Sequence, residues 1–164
     1  MELIGRRLSD AELKSVHDDP DTVEALLFGD LNDYDAEMPE PELNLDKFWH
    51  GVHYLLAGSA WDLGDGVAGA AVLGGEDIGE DGGYGPARLV TADRVRVVAD
   101  ALDALDDDTL RARFDRRAMK AAEIYPDIWH EDVPADRFLG HVADLRRFYR
   151  SAADNDQALL LMIT

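Results

Sequence analysis

The sequence predicts an α+β fold: a single domain over residues 1–164, with several helices packed on a small sheet that includes the N- and C-terminal strands. Three observations carry that expectation. Apolar residues recur at helical spacing through most of the chain, and strand-like runs stand at its two ends. A length of 164 residues with 46% hydrophobic content supplies material for one core rather than two.

Residues 2–8 read as a short strand ending at Ser9. Ser9-x-x-Glu12 fits a capping box, in which hydroxyl and carboxylate each satisfy one backbone N–H; Leu8 and Leu13 form the flanking staple. That helix stops near Pro20, and Asp21 can cap a second short one through Leu27 and Phe28. Residues 29–44 hold Pro39, Pro41 and alternating acids without apolar periodicity, so an exposed loop is expected. Asp46 opens a helix whose apolar stripe is Trp49, Val52, His53 and Leu56, and Gly58 is its natural C-terminal stop. Residues 58–86 contain ten of the fourteen glycines and are expected as a loop, because ordering such a segment costs much backbone entropy.

Thr91 caps the next helix, with Val90 and Val95 as its staple and Val95, Val98, Ala99 and Leu102 buried. Asp106, Asp107 and Asp108 start another, since acids favour a helix N-terminus. Leu110, Phe114, Ala118 and Ala121 give its core face, and Pro126 marks the break. Pro134 suits the first turn of a last long helix with Phe138, Val142, Leu145 and Tyr149 inward, and residues 158–164 read as a closing buried strand.

Charge is distributed unevenly. Lys plus Arg is 16 and Asp plus Glu is 35, a net charge of −19, which argues against nucleic acid and anionic membrane surfaces as partners. Residues 15–87 carry 17 acids and one base, Lys47, for a net −16; residues 88–164 carry 15 acids and 12 bases, for a net −3. Asp30, Asp33, Asp35, Glu37, Glu40 and Glu42 put six acids in thirteen residues. The absence of cysteine removes disulfides, thiolate nucleophiles and zinc–thiolate sites. No basic head followed by a long apolar run opens the chain, so no secretory signal is expected and a cytoplasmic location is. The preference for Arg over Lys, with abundant Ala and Asp, matches a GC-rich bacterial genome.

Several motifs invite chemistry. Gly64-x-Gly66-x-x-Gly69 spells a dinucleotide fingerprint, but no buried strand precedes it and Asp62 and Asp65 would repel phosphate. Asp33-x-Asp35-x-Glu37 resembles the start of an EF-hand loop, yet Met38 replaces the required glycine and Asn44 the bidentate Glu. Glu76-Asp77 and Glu80-Asp81 offer oxygen ligands without a defined spacing. His50 and His53 stand one helical turn apart with Asp46 and Asp62 nearby, which suits acid–base or metal chemistry; His53 also lies on the apolar stripe, where a hydrogen-bonded core histidine is the ordinary outcome. His130 and His141 add no recognised spacing, and no G-x-S-x-G is present.

From Asp46-Lys47-x-Trp49-His50-x-x-His53-Tyr54-Leu55-Leu56-x-Gly58, through Ala71-Val-Leu-Gly-Gly75 and Ile124-Tyr125-Pro126, to the terminal Ala158-Leu-Leu-Leu-Met-Ile163, the chain resembles the YfbM-like family of small bacterial proteins, a domain of unknown function. The resemblance covers nearly the whole chain in the same order. It implies a cytosolic α+β single domain and supplies no activity, cofactor or catalytic residue. Trp49 and His53 match the family pattern, whereas a histidine at the position of His50 is not required by it.

Two functions of different class follow. The first is a non-catalytic binding or interaction module whose acidic half faces a basic protein or peptide. Its ligand-binding residues would be Trp49, His50, His53, Trp61, Asp62 and Tyr125, forming a small aromatic and histidine pocket beside that half. No cofactor, metal or catalytic residue is assigned, and the residues specify no oligomeric state. The alternative is a hydrolase using His50 and His53 with Asp46 or Asp62, with or without a divalent ion. A third reading gives the acidity to solubility alone.

Overall fold

A computed structural model describes residues 1–29, 39–130 and 132–164. The elements in chain order are β1 (Leu3–Leu8), α1 (Asp10–Asp18), α2 (Thr22–Phe28), β2 (Leu43–Asn44), α3 (Trp49–Ala57), α4 (Ala70–Leu73), β3 (Glu76–Ile78) and β4 (Ala87–Val90). They continue with α5 (Ala92–Ala104), α6 (Asp107–Arg113), α7 (Arg116–Ala121), α8 (Ala135–Asp154) and β5 (Ala158–Ile163). All strand pairs are antiparallel and the sheet order is β2-β1-β5-β4-β3. The first and last strands pair over their full length, from Leu3 opposite Ile163 to Leu8 opposite Ala158.

Alternation along the strands sorts two cores. Leu159, Leu161 and Ile163 face a thick helical layer that holds α3, α5 and α8; Ala158, Leu160 and Met162 face the thin layer of α1 and α2. Helix α3 is buried almost all round, which makes it the centre of the thick layer, and α8 packs across it. The crossing is close at Gly51, where an added Cβ would stand 2.3 Å from the ring of the fully buried Phe138.

Side-chain caps fix half of the helix starts among the described residues, but Asp21, at the N-cap of α2, makes no side-chain cap hydrogen bond. The Ser9–Glu12 capping box forms in both directions, and Ser9 and Arg6 together hold the Glu12 carboxyl down at about 2 although burial alone would raise it. The Thr91 and Asp106 side chains accept from Arg94 and Thr109 N–H respectively. Pro134 is the N-cap of α8, one residue before the first turn. Among the described residues no helix is long and apolar enough to cross a membrane.

Four segments differ from the sequence expectation. Residues 29–44 are not all loop: Leu43 is buried in β2, where it pairs with Gly5, while residues 30–38, with the EF-hand-like acids Asp33, Asp35 and Glu37, lie outside the described residues. The helix opened by Asp46 begins as a 3-10 turn over Asp46–Phe48 before α3. The glycine-rich stretch 58–86 contains α4 and the strand β3, and β4 follows it, because pairing with β5 compensates the entropy of ordering it. The helix expected from Asp106 breaks at Phe114, where Asp115 caps α7 through the N–H groups of Arg117 and Ala118; Met119 is buried there and Ala121 is exposed.

Gly51→Ala should therefore lower unfolding stability by about 1–3 kcal/mol, the usual cost of overpacking against a side chain with nowhere to move. Urea unfolding reads this directly, and an unchanged midpoint would contradict the close α3–α8 crossing.

Candidate functional site

The predicted site residues do converge, and backbone groups bring them together. After α3 the chain turns at Gly58, whose positive φ of 72° lets its N–H donate to the Tyr54 carbonyl at 2.8 Å. Arg113 Nη1 donates to the Leu55 and Leu56 carbonyls at 2.9 and 3.2 Å, so the helix end is satisfied twice over. The chain then doubles back, so that Ala60 lies against His50, Asp62 against His53 and Gly64 against Ala57, and residues 60–64 run in the same direction as α3. Gly64 and Gly69 permit this close passage: a Cβ on Gly64 would lie 2.2 Å from the Ala57 oxygen, and one on Gly69 would lie 2.1 Å from the Leu63 oxygen. Helix α3, and not a strand, is the element that leads into Gly64, and of the G-x-G-x-x-G glycines Gly64 and Gly69 serve close backbone packing.

His50 and His53 clamp this returning segment. His50 Nε2–H donates to the Ala60 carbonyl at 2.8 Å, while its Nδ1 accepts from the Tyr125 N–H at 3.0 Å. Both ring nitrogens are thereby committed and the neutral tautomer is fixed. His53 Nε2–H donates to the Asp62 carbonyl at 3.1 Å, leaving Nδ1 as a buried acceptor with no protein partner among the described residues; Trp49 Nε1 is buried without one as well. The His50 ring centroid lies 4.9 Å from that of Trp49 and 4.3 Å from that of Trp61, and the two indoles are 6.2 Å apart, so the three rings form a triangle. Trp49 and both histidines are fully buried or nearly so, whereas Trp61 is 64% exposed.

The carboxylates point elsewhere. The Asp62 side chain accepts from the Ser59 hydroxyl and Asp46 Oδ1 accepts from the Lys47 N–H, and neither carboxylate hydrogen-bonds His50 or His53. The Tyr125 hydroxyl accepts from the N-terminal amine. His141, in the first half of α8, stacks on Phe48. Among the described residues no three His, Asp or Glu side chains are grouped to hold a metal ion. Burial drives the His53 pKa from its ordinary 6.5 to about 4, against the opposing pull of the Asp62 carbonyl, and lowers that of His50 in the same direction.

A second concavity lies on the other side of the sheet, where the residues alone suggest no pocket. It is a cleft of about 510 Å³ between α2, the β3–β4 turn and the end of β5. Val23, Phe28, Ala87 and Met162 give it apolar surface, Tyr84 is a 57% exposed aromatic on its lining, and Asp21, Glu24, Glu80 and Asp81 supply its charge. Asp81 also organises the turn, its Oδ1 accepting from the Gly83 and Gly85 N–H groups at 2.7 and 2.9 Å. Among the described residues none of the four acids forms an ion pair. Arg88, the base on β4, cannot neutralise them. It alternates with Ala87 and Leu89 and so faces the thick layer, where burial lowers its pKa and Asp77 partly restores it. The signal for this cleft in the sequence was the pair Glu80-Asp81 followed by Tyr84 among glycines, but its other wall is some sixty residues away.

The fold is thus that of a small α+β protein whose five-stranded antiparallel sheet carries one thick and one thin helical layer. The chain belongs to the domain of unknown function DUF1877, whose model matches residues 1–162. It is also similar in structure to YfbM from Escherichia coli, a protein of unknown function, with a TM-score of 0.77 at 20% sequence identity over 100% of both chains. No curated protein matches the sequence significantly.

The histidine clamp makes stability sensitive to acid. Unfolded, His53 takes a proton near pH 6.5; folded, it stays neutral until about pH 4. Between those values the unfolded chain binds more protons, so stability falls as pH drops, by a total on the order of 3 kcal/mol from this residue. Urea unfolding at a series of pH values across that window should show the decline, and His53→Gln should flatten it by roughly one proton. An identical slope in the variant would exclude His53 as its source.

Proposed function

We propose that the protein is a non-catalytic binding module whose ligand is a basic protein or peptide segment, held in the cleft between α2 and the β3–β4 turn. The observation that carries this reading is the unequal compensation of charge. In the C-terminal half Arg96, Arg111, Arg116, Arg146, Arg147 and Arg150 each hold one or two aspartates. In the acidic half Asp21, Glu24, Glu80 and Asp81 have no such partner among the described residues and gather on one concave surface. Clustered like charges beside a low-dielectric wall focus the field outward, and an apolar floor rewards the stem of a long cationic side chain. Tyr84 offers a ring face to the same cation.

In this reading Trp49, His50, His53, Trp61, Asp62 and Tyr125 act as a clasp that holds the 58–64 segment against α3. The contribution of this group to a ligand surface is then limited to the accessible faces of Trp61, Asp62 and the half-buried Tyr125. Hydrolysis by the two imidazoles requires a ring nitrogen free to take a proton from water, and His50 has none to give.

Fluorescence anisotropy with labelled hexa-arginine tests the proposal. Affinity should fall steeply as salt rises toward about 0.2 M, and Glu24→Gln combined with Glu80→Gln should weaken binding roughly tenfold. The matched control Asp100→Asn with Asp136→Asn removes as much charge from the balanced half and should change affinity less than about twofold. Salt-independent binding, or equal loss in both double variants, would refute the cleft as the binding surface.

A further inference from the structure

We propose that the basic segment binds as an added strand on β3, extending the sheet and delivering a cationic side chain into the cleft. This inference rests on the cleft reading and adds the mode of recognition.

Strand β3 is the last strand of the sheet, next to β4 on one side only. Among the described residues the backbone of residues 75–80 makes no hydrogen bond outside the β3–β4 ladder, and Glu76 and Asp77 are exposed. An edge of this kind is a template for another extended chain, with outward N–H and C=O groups already held in register. The strand leads straight into Gly79, Glu80, Asp81 and Gly82, which line the cleft. A segment laid along β3 therefore ends at the cleft, where a cationic residue just beyond the paired stretch meets Glu80, Glu24 and Asp21.

Charge selects the occupant. Two copies of this chain pairing β3 to β3 would set Glu76 and Asp77 against the same acids, and directly opposed like charges destabilise a strand pair. The acids thus guard the edge against self-association while leaving it open to a segment of opposite charge. Ile78 lies on the α2 face of the strand and packs with the thin-layer core, so the added strand gains an apolar neighbour there. A β-branched residue beside Ile78 shares the α2 face, an Arg or Lys next to it faces Asp77, and the cation for the cleft sits past the paired stretch, where the alternation ends.

The test uses labelled acetyl-Arg-Val-Arg-Val-Arg-amide and two N-methylated versions, one methylated on the arginine amides and one on the valine amides. Strand addition uses the amides on one side of the peptide only. One version should therefore lose affinity roughly tenfold or more, while the other stays within about twofold of the parent. Hydrogen exchange at the β3 amides should slow on binding the parent peptide. If both methylated versions bind like the parent, strand addition is overturned and the cleft reading stands; if the parent itself does not bind, the cleft reading fails with it.

Discussion

Everything in this fold is hung on β5. Its six residues are all buried, on both faces, and it is flanked by β1 along its whole length and by β4. An antiparallel strand usually shows one face to water; this one cannot, because one face anchors the thick helical layer and the other the thin one. The chain therefore has to bring its last residues into the middle of the sheet, next to its first. That requirement places α8 across α3 on one side and leaves α1 and α2 to cover the other. The thin layer does not extend over the corner where β5 ends and β4 begins, and the cleft is what that incomplete cover leaves.

The same arrangement explains how one acidic chain carries two different electrostatic surfaces. Arginines of α5, α6 and α8 pair with aspartates, mostly across to a neighbouring helix, so the charge along these three helices is largely compensated. The acids from α2 and the β3–β4 turn come from a stretch with a single base, and the one arginine of β4 points through the sheet to the opposite layer. Uncompensated charge collects at the uncovered corner through topology and not through any excess of acids on one helix. Exposed ion pairs contribute little to stability, and here their consequence is spatial: they determine where the field is left over.

How much of this was legible in the residues depends on the range of the interaction. Local signals read correctly: Ser9 with Glu12, Thr91, Asp106, Gly58 and the two terminal strands all appear where the sequence places them. Strands β2 and β3 are two and three residues long, too short for a period of two to show, and exist only because β1 and β4 pair with them. Leu110 to Ala121 keeps a helical pattern across a break that only the cap at Asp115 reveals. The residues of the aromatic and histidine group lie near one another in the fold, yet residue types could not show that the Ala60 and Asp62 carbonyls and the Tyr125 N–H would engage both imidazoles. The cleft was missed because Asp21, Tyr84 and Met162 meet only in the folded sheet.

Four acids without an ion-pair partner gather on one concave corner, and cations are expected to go there. Titrating tetra-arginine into isotope-labelled protein and following backbone amide shifts tests it most directly. The account predicts that perturbations map to residues 20–28, to the β3–β4 turn and to Thr164. Shifts centred on the Trp61–Asp62 segment, or spread evenly across the arginine-paired aspartates of α5, α6 and α8, would contradict it.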